Sequence, residues 1–335
     1  HRHTLFPYTT LFRSARTSNA YDYAAGFVGL NRMRIDGTDF VESFIQMQKA
    51  VHFVREERKP LLVCAKTVLI GHHTSGVRRE FYRDEADLAK HRAKDPGIIL
   101  KKYLLEEGFN EETLSQIEIE ARKQIEEDFN KAILAPDPKP ETVKEHVYAP
   151  TPITEEKGTR IPENVEKIPM VDAGIHAIQE LMHKHPEALL YGQDVGGRIG
   201  GVFREAVTLQ QKFGNKRVFN TGIQEAYIIG STVGMSAVGL KPIVEVQFAD
   251  YIYPGINQLV TEVSKSCYLS NGKYPVSSII RVPIGAYGGG GPYHSGSVET
   301  MLAQIKGIKI AYPSNAADFK GLFKAAFYDP NPVIF

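Results

Sequence analysis

Cysteine is nearly missing from this chain: Cys64 and Cys267 are the only two in 335 residues, and they lie far apart. That argues against a disulfide framework and a cysteine zinc site, and makes the reduced cytoplasm the expected compartment. An excess of charge is missing too, since 40 Lys and Arg against 39 Asp and Glu leave a formal net charge of +1. No electrostatic pull toward nucleic acid or an anionic membrane is expected from that balance. Long apolar runs are lacking as well; glycines and charges interrupt them well short of a membrane span. What remains is an ordinary globular composition, 42% hydrophobic and 24% charged, long enough for two domains or one large one.

The opening "HRHTLFPYTTLFRS" has no helical or strand period and no signal-peptide layout. Residues 4–14 resemble the translation of a common sequencing adapter. Residues 1–14 are therefore expected to be non-native, with the natural protein starting further upstream. The final "NPVIF" stops inside what reads as a buried strand, so truncation is expected at that end too.

Between those ends the pattern is α/β. "RIDGTDFVESFIQMQKAVHFVREERKPLLVCAK" reads as strand, turn, helix, strand, with Asp39 as helix cap and Phe40, Phe44, Met47 and Val51 at helical spacing. A strand–helix–strand order implies a parallel, doubly wound sheet, which gathers its sites at the carboxyl ends of strands. From Asp84 to about Leu134 the chain is helical and charged, with Leu114, Ile117, Ala121, Ile125 and Phe129 forming one stripe. Prolines and charges without a period then mark residues 136–165 as a linker. The expected organisation is an incomplete α/β unit over 15–135, the linker, and a second incomplete α/β unit over 166–335.

Four stretches carry chemistry. Glu225 opens the glycine-studded helix of "NTGIQEAYIIGSTVGMSAVGL", where Ala226, Gly230 and Gly234 at four-residue spacing predict close helix packing. The plain alternative is a first-turn acid favoured by the helix dipole. Gln247, Asp250 and Tyr251 follow the apolar strand "KPIVEVQF", where such sheets present ligands, though Asp250 could equally cap a turn. "RVPIGAYGGGGPYHSGS" lacks a phosphate-loop signature, and its glycines before His294 suit either a closing loop with an acid–base group or a mobile surface loop. "GHHTSGVRREFYRD" places His72 and His73 after a strand; no third ligand has zinc-like spacing, which leaves an anion-binding loop with a catalytic His or a solvated basic loop.

These residues resemble a family. "RVFNTGIQEAYIIGSTVGMSAVGLKPIVEVQFADYIYPGINQL", "GGVFREAVTLQQKFG" and "PYHS" are similar, in order, to the beta subunit of the thiamine-diphosphate-dependent 2-oxo acid dehydrogenases, the decarboxylating first components of the pyruvate and branched-chain complexes. "RIDGTDF", "GHHTS", "FYRD" and "DPGIILKKYLLEEG" resemble the C-terminal part of the alpha subunit, so the whole looks like a fused alpha–beta chain. The resemblance implies a thiamine-diphosphate-binding fold of doubly wound, mostly parallel sheets, with 15–135 alpha-like (diphosphate-binding) and 166–335 the beta-like pyrimidine-binding domain.

It also implies roles. Glu225 would meet the aminopyrimidine ring of thiamine diphosphate and share a proton with a ring nitrogen, with Gln247, Tyr251 and the apolar Ile223 around the same ring. His294 and His73 would move protons during decarboxylation and acyl transfer to the lipoyl group of an acyltransferase component. The expected substrate is a branched-chain 2-oxo acid such as 3-methyl-2-oxobutanoate. Pyruvate dehydrogenase or acetoin dehydrogenase, a transketolase-like transferase and a non-catalytic assembly subunit are the alternatives. Self-association of alpha-like and beta-like halves is expected, with no nucleic-acid or membrane partner. Three departures stand out. The G-D-G…N-N motif that holds Mg2+ and the diphosphate is absent from the sequence, so no metal ligand is assigned and the chain is expected to be inactive by itself. Leu69 stands where the family often has Arg, and "GVRREF" replaces an acidic stretch. Asp329 and Asn331 match positions near a monovalent-cation site, without enough matching neighbours to assign one.

Overall fold

A computed structural model describes residues 19–72, 78–81 and 83–335. It separates into two compact units, one ending at Pro136 and the other running from Asp137 to Phe335.

The first unit holds two parallel strands, β1 (Asn31–Asp36) and β2 (Leu61–Lys66), joined through helix α1 (Phe40–Glu57). Asp39 caps α1, its side chain accepting from the Glu42 amide at 2.9 Å, and Arg58 ends the helix in the left-handed region at φ 52°. Helices α2 (Glu85–Arg92), α3 (Pro96–Glu106) and α4 (Glu111–Leu134) follow. The helical periods are as the sequence implies, but their apolar stripes meet solvent: Phe40, Phe44, Met47 and Val51 on α1 and Ile117, Ile125 and Phe129 on α4 are exposed. Among the described residues of these two helices only Ala50 and Leu114 are buried.

The second unit is a six-stranded parallel sheet of order β4-β3-β5-β6-β8-β7. Its strands are β3 (Ala188–Gly192), β4 (Val218–Asn220), β5 (Lys241–Glu245), β6 (Ile279–Arg281), β7 (Lys309–Ile310) and β8 (Val333–Ile334). Strand β3 reads as an unbroken apolar run because both faces are covered. Ala188 and Leu190 point into one core with Ile178, Leu181 and Phe323, while Leu189 and Tyr191 point into the other with Ile228, Val244 and Ile280. Helices α5 (Met170–Lys184) and α9 (Ala316–Tyr328) cover the first face. Helices α7 (Glu225–Ala237) and α8 (Tyr253–Gln258) cover the second, and the short α6 (Leu209–Phe213) precedes β4. Each fully buried Leu or Ile contributes about 1.5–3 kcal/mol, so these two cores carry the unit's stability.

Part of the proline-rich stretch is tied down. Asn331, buried, accepts from the Ala149 amide at 2.7 Å and donates to the Ala149 carbonyl at 2.9 Å, and the Tyr148 hydroxyl donates to the Ile308 carbonyl at 3.1 Å. Residues 148–149 thus form a strap beside β7 rather than a free tether. No helix among the described residues is long and apolar enough to cross a membrane.

Candidate active site

The carboxyl ends of β3 and β5 and the amino end of α7 converge. Glu225 opens α7 and is buried, 8% exposed. Its Oε1 accepts from Gln193 Nε2 at 2.8 Å, and Gln193 lies just past the end of β3. Gln247, just past β5, donates through Nε2 to Asp194 Oδ2 at 2.9 Å, with the Gln193 carbonyl at 3.4 Å. Asp194 makes this possible from a left-handed backbone at φ 58°. A carboxylate can accept several hydrogen bonds, and among the described residues Gln193 supplies the one made to the Glu225 side chain, leaving acceptor capacity at its other oxygen. Ile223 stands 84% exposed two residues before it. A buried acid with spare acceptor capacity and an exposed apolar side chain beside it fit one edge and one face of a flat, nitrogen-bearing ring.

A second cluster grows from the same strand. The Tyr251 hydroxyl is 2.7 Å from His294 Nε2, and His294 Nδ1 is 3.1 Å from the Gly290 carbonyl. The Phe248 ring meets His294 edge-on at 4.7 Å and also packs on Phe203 and Tyr251. Asp250 does not cap a helix; its Oδ2 accepts from the Gly296 amide at 2.9 Å, across to the histidine loop. Glu225 and Gln247 therefore belong to one hydrogen-bonded group, Tyr251 and His294 to another, and the segment 247–251 carries both. No direct hydrogen bond links Glu225 to Gln247, Tyr251 or His294 among the described residues, and Ile223 makes none through its side chain.

His73 lies outside the described residues. Its neighbour His72 accepts from the Arg79 amide at 3.2 Å through Nδ1. The Leu69 amide donates to His91 Nδ1 at 3.0 Å and its carbonyl accepts from Arg83 at 3.2 Å, so α2 holds the strand exit leading to this loop.

Sequence reasoning did not find Gln193 and Asp194, although "YGQD" ends an apolar strand as "EVQFAD" does. Nor did it find the buried ionic cluster beneath the second group. Arg281 ends β6, with NH1 3.3 Å from Glu205 Oε1 and in close contact with Glu245 Oε2 on β5. All three are buried. Burial pushes the Glu245 carboxyl well above the usual range, and the Arg281 charge only partly offsets it. Burial acts upward on Glu205 too, but hydrogen bonding from Glu245 and the Arg281 charge outweigh it and hold that carboxyl low. A charge inside each of two apolar strands, "IVEV" and "IIRV", was the available signal. A pocket of about 950 Å³ adjoins this cluster, with Phe203, Phe248, Arg281, His294 and Phe319 in its wall.

No group of three or more His, Cys, Asp or Glu residues placed to hold a metal ion occurs among the described residues.

Comparison with known proteins places this arrangement. Residues 166–335, about half of the chain, match the family described as transketolase, pyrimidine binding domain, which makes the sheet bearing Glu225 and Gln247 a thiamine-enzyme domain. Residues 7–141 match the family described as dehydrogenase E1 component. The chain is 42% identical over 173 residues to the 2-oxoisovalerate dehydrogenase subunit beta of Pseudomonas aeruginosa, covering 52% of this chain and 49% of that protein. It is 41% identical over 168 residues to the pyruvate dehydrogenase E1 component subunit beta of Acholeplasma laidlawii, covering 50% and 51%. The Bacillus subtilis 2-oxoisovalerate dehydrogenase subunit beta is 41% identical over 165 residues, covering 49% and 50%. The chain spans about half the length of the curated relatives it matches. It belongs to the thiamine-diphosphate-dependent 2-oxo acid dehydrogenase family, as an E1 component.

Proposed function

We propose that the second unit forms the pyrimidine-binding half of an enzyme that oxidatively decarboxylates a 2-oxo acid and passes the acyl group to a lipoyl-bearing acyltransferase. One observation carries this: Glu225 is buried at the first turn of α7 with its carboxyl oriented by Gln193. Thiamine diphosphate, when bound, supplies a nucleophilic thiazolium carbon and an electron sink for the departing carbon dioxide. Glu225 would hold the proton shared with a pyrimidine nitrogen when the cofactor is bound, and Gln193 orients its carboxylate by donating to Oε1. Ile223, Gln247 and Tyr251 would help to hold the same ring, Ile223 by apolar contact. His294, held between Tyr251 and Gly290, moves protons at the reacting carbonyl through Nε2, with His73 as its counterpart from the alpha-like half. Mg2+ and the diphosphate would be held by groups outside the described set.

A branched-chain 2-oxo acid is the favoured substrate, on the motif "QFADYIYPGINQL" and on the apolar pocket that has His294 in its wall. One or two methyl groups are worth only about 1–3 kcal/mol in such a pocket, so turnover of 3-methyl-2-oxobutanoate should exceed that of pyruvate by roughly 10–200-fold. Equal turnover, or a preference for pyruvate, would remove this substrate assignment. Assembly into a homo-oligomer that joins alpha-like and beta-like halves belongs to the same proposal.

Glu225→Gln in the intact enzyme is the test. The amide keeps the shape and a hydrogen bond but cannot exchange the proton, so deuterium exchange at the cofactor's thiazolium carbon should slow by about 100-fold or more. Thiamine diphosphate affinity by calorimetry and the unfolding midpoint should change little. An unchanged exchange rate would leave Glu225 as an acid that merely complements the helix N-terminus.

A further inference from the structure

The loop between β6 and residue 298 carries His294, and its base is closed in three places. The Gly285 amide donates to the Gly296 carbonyl at 2.9 Å, the Ala249 amide donates to the Pro283 carbonyl at 2.9 Å, and the Gly296 amide donates to Asp250 Oδ2 at 2.9 Å. Only the last of these uses a side chain. A Cβ at Gly296 would lie 2.6 Å from Asp250 Oδ1 and 2.9 Å from Oδ2, so the carboxylate and this glycine are matched to each other. Gly290 is matched to His294 in the same way: a Cβ there would lie 2.5 Å from His294 Cβ.

We propose that Asp250 is a positioning residue that latches the glycine loop through Gly296, so that His294 reaches Tyr251 with a single ring tautomer. The inference rests on the role given to His294 above. The chemistry follows from the partners. The Gly290 carbonyl can only accept, so Nδ1 of the neutral ring carries the hydrogen. Nε2 is then the acceptor and takes the Tyr251 O–H. This makes Nε2 the nitrogen that can receive a proton, and the Tyr251 hydroxyl the group that must yield to whatever delivers it. Asp250 touches neither ring; it acts by holding Gly296, two residues beyond His294. With the latch released, the base of the loop is closed only by backbone pairs, and the Phe248 and Tyr251 contacts alone hold His294 against a looser loop.

The test uses the full chain without cofactor. Asp250→Ala should raise amide hydrogen exchange across 285–296 by about tenfold or more, the factor one hydrogen bond to a charged group represents, while amides of β3 and β5 keep their protection. Nitrogen NMR of the His294 ring should change from the Nδ1–H form to a mixture. Asp250→Asn keeps an acceptor oxygen and should restore most of both signals, which loss of packing alone would not predict. Gly296→Ala should reproduce the defect in the native background and add nothing in the Asp250→Ala background, because the two changes break one contact. Unchanged exchange and tautomer in Asp250→Ala, general unfolding in Asp250→Asn, or additive losses in the double variant would each overturn the proposal. Failure of the Glu225→Gln experiment would strike the cofactor assignment and leave these cofactor-free signals as they are, so the two failures are distinguishable.

Discussion

Arg281 shows what a single buried charge controls. Its guanidinium lies between Glu205 and Glu245, and neither carboxylate has another cationic partner among the described residues. Arg281→Met should therefore cost about 3–5 kcal/mol in denaturant unfolding, because it strands the acids in the core. A loss below about 1 kcal/mol, the scale of an exposed ion pair, would show that water reaches the cluster. Glu245→Gln should be far milder, since burial already disfavours the charged form of this carboxyl. The signs of the pH effects differ. Glu245 is shifted up, so its contribution is complete below the ordinary carboxylate value of about 4.3 and fades as pH rises through its own higher value. Glu205 is shifted down, so its contribution is present above that ordinary value and fades as pH falls through its lower one. Glu245→Gln should accordingly flatten the alkaline side of the stability profile and leave the acid side in place; an unaltered alkaline side would contradict the upward shift. Residues of this kind were only half legible. Glu245 and Arg281 interrupt apolar strands and could be paired by sheet adjacency, whereas Glu205 sits in what reads as a polar turn. Its burial beside Arg281, distant in sequence, is not visible in that turn. Gln247 stood out as a polar group just past an apolar strand, Glu225 as an acid opening a glycine-studded apolar helix, and His294 as a histidine after a glycine run, all visible without the fold.

At the scale of elements, the packing of α7 on α8 sets where Glu225 sits. A Cβ at Gly255 on α8 would lie 2.5 Å from Ile229 Cδ1 and 3.0 Å from the Glu225 carbonyl oxygen. Gly255→Ala should push the two helices apart at a cost of about 1–3 kcal/mol and disturb Glu225 directly. Gly234 is the contrast. It lies in the same helix as Glu225, a Cβ there meets nothing within 4 Å, and its φ is not positive. Gly234→Ala should stabilise the protein by about 0.5–1 kcal/mol through helix propensity and leave the site untouched. Thermal unfolding of both variants checks the pair, and similar effects from the two would refute the assigned helix contact. The spacing of Ala226, Gly230 and Gly234 announced close packing, but a four-residue period does not say where along the stripe the partner crosses. It crosses at Gly230, where a Cβ would lie 3.2 Å from Gln258 Oε1. The same limit explains α1 and α4, whose stripes give the correct helices while most of their apolar side chains face solvent. Periodicity reports that a helix has an apolar face; it does not supply the surface that covers it.

For the molecule as a whole, the strap at residues 148–149 decides how much of the proline-rich stretch moves freely. Composition alone reads 136–165 as a linker, because prolines and charges offer no apolar period; the anchor is a buried amide far away in sequence, Asn331, which no local pattern reveals. Asp329 holds that amide in place, its Oδ1 accepting from the Asn331 backbone amide at 2.9 Å and from Nδ2 at 2.8 Å, while Oδ2 meets Lys309 Nζ at 2.5 Å. Burial pushes the Asp329 carboxyl up, but the Lys309 ammonium and the bonds from Asn331 outweigh it and hold it below its ordinary value. A lowered carboxylate stabilises fully above the ordinary value of about 3.9 and loses that contribution as pH falls through its own lower value. The strap should therefore stay docked through neutral and mildly acidic pH and release only in stronger acid. Asn331→Ala should release it at neutral pH, because the Ala149 amide and carbonyl lose their partner at a cost of about 1–3 kcal/mol. Limited proteolysis reads the difference. The variant should be cut within 137–168 several-fold faster than the native chain, with β3 and β5 still resistant. Equal cutting rates would mean that the Tyr148 contact with the Ile308 carbonyl holds the strap without Asn331.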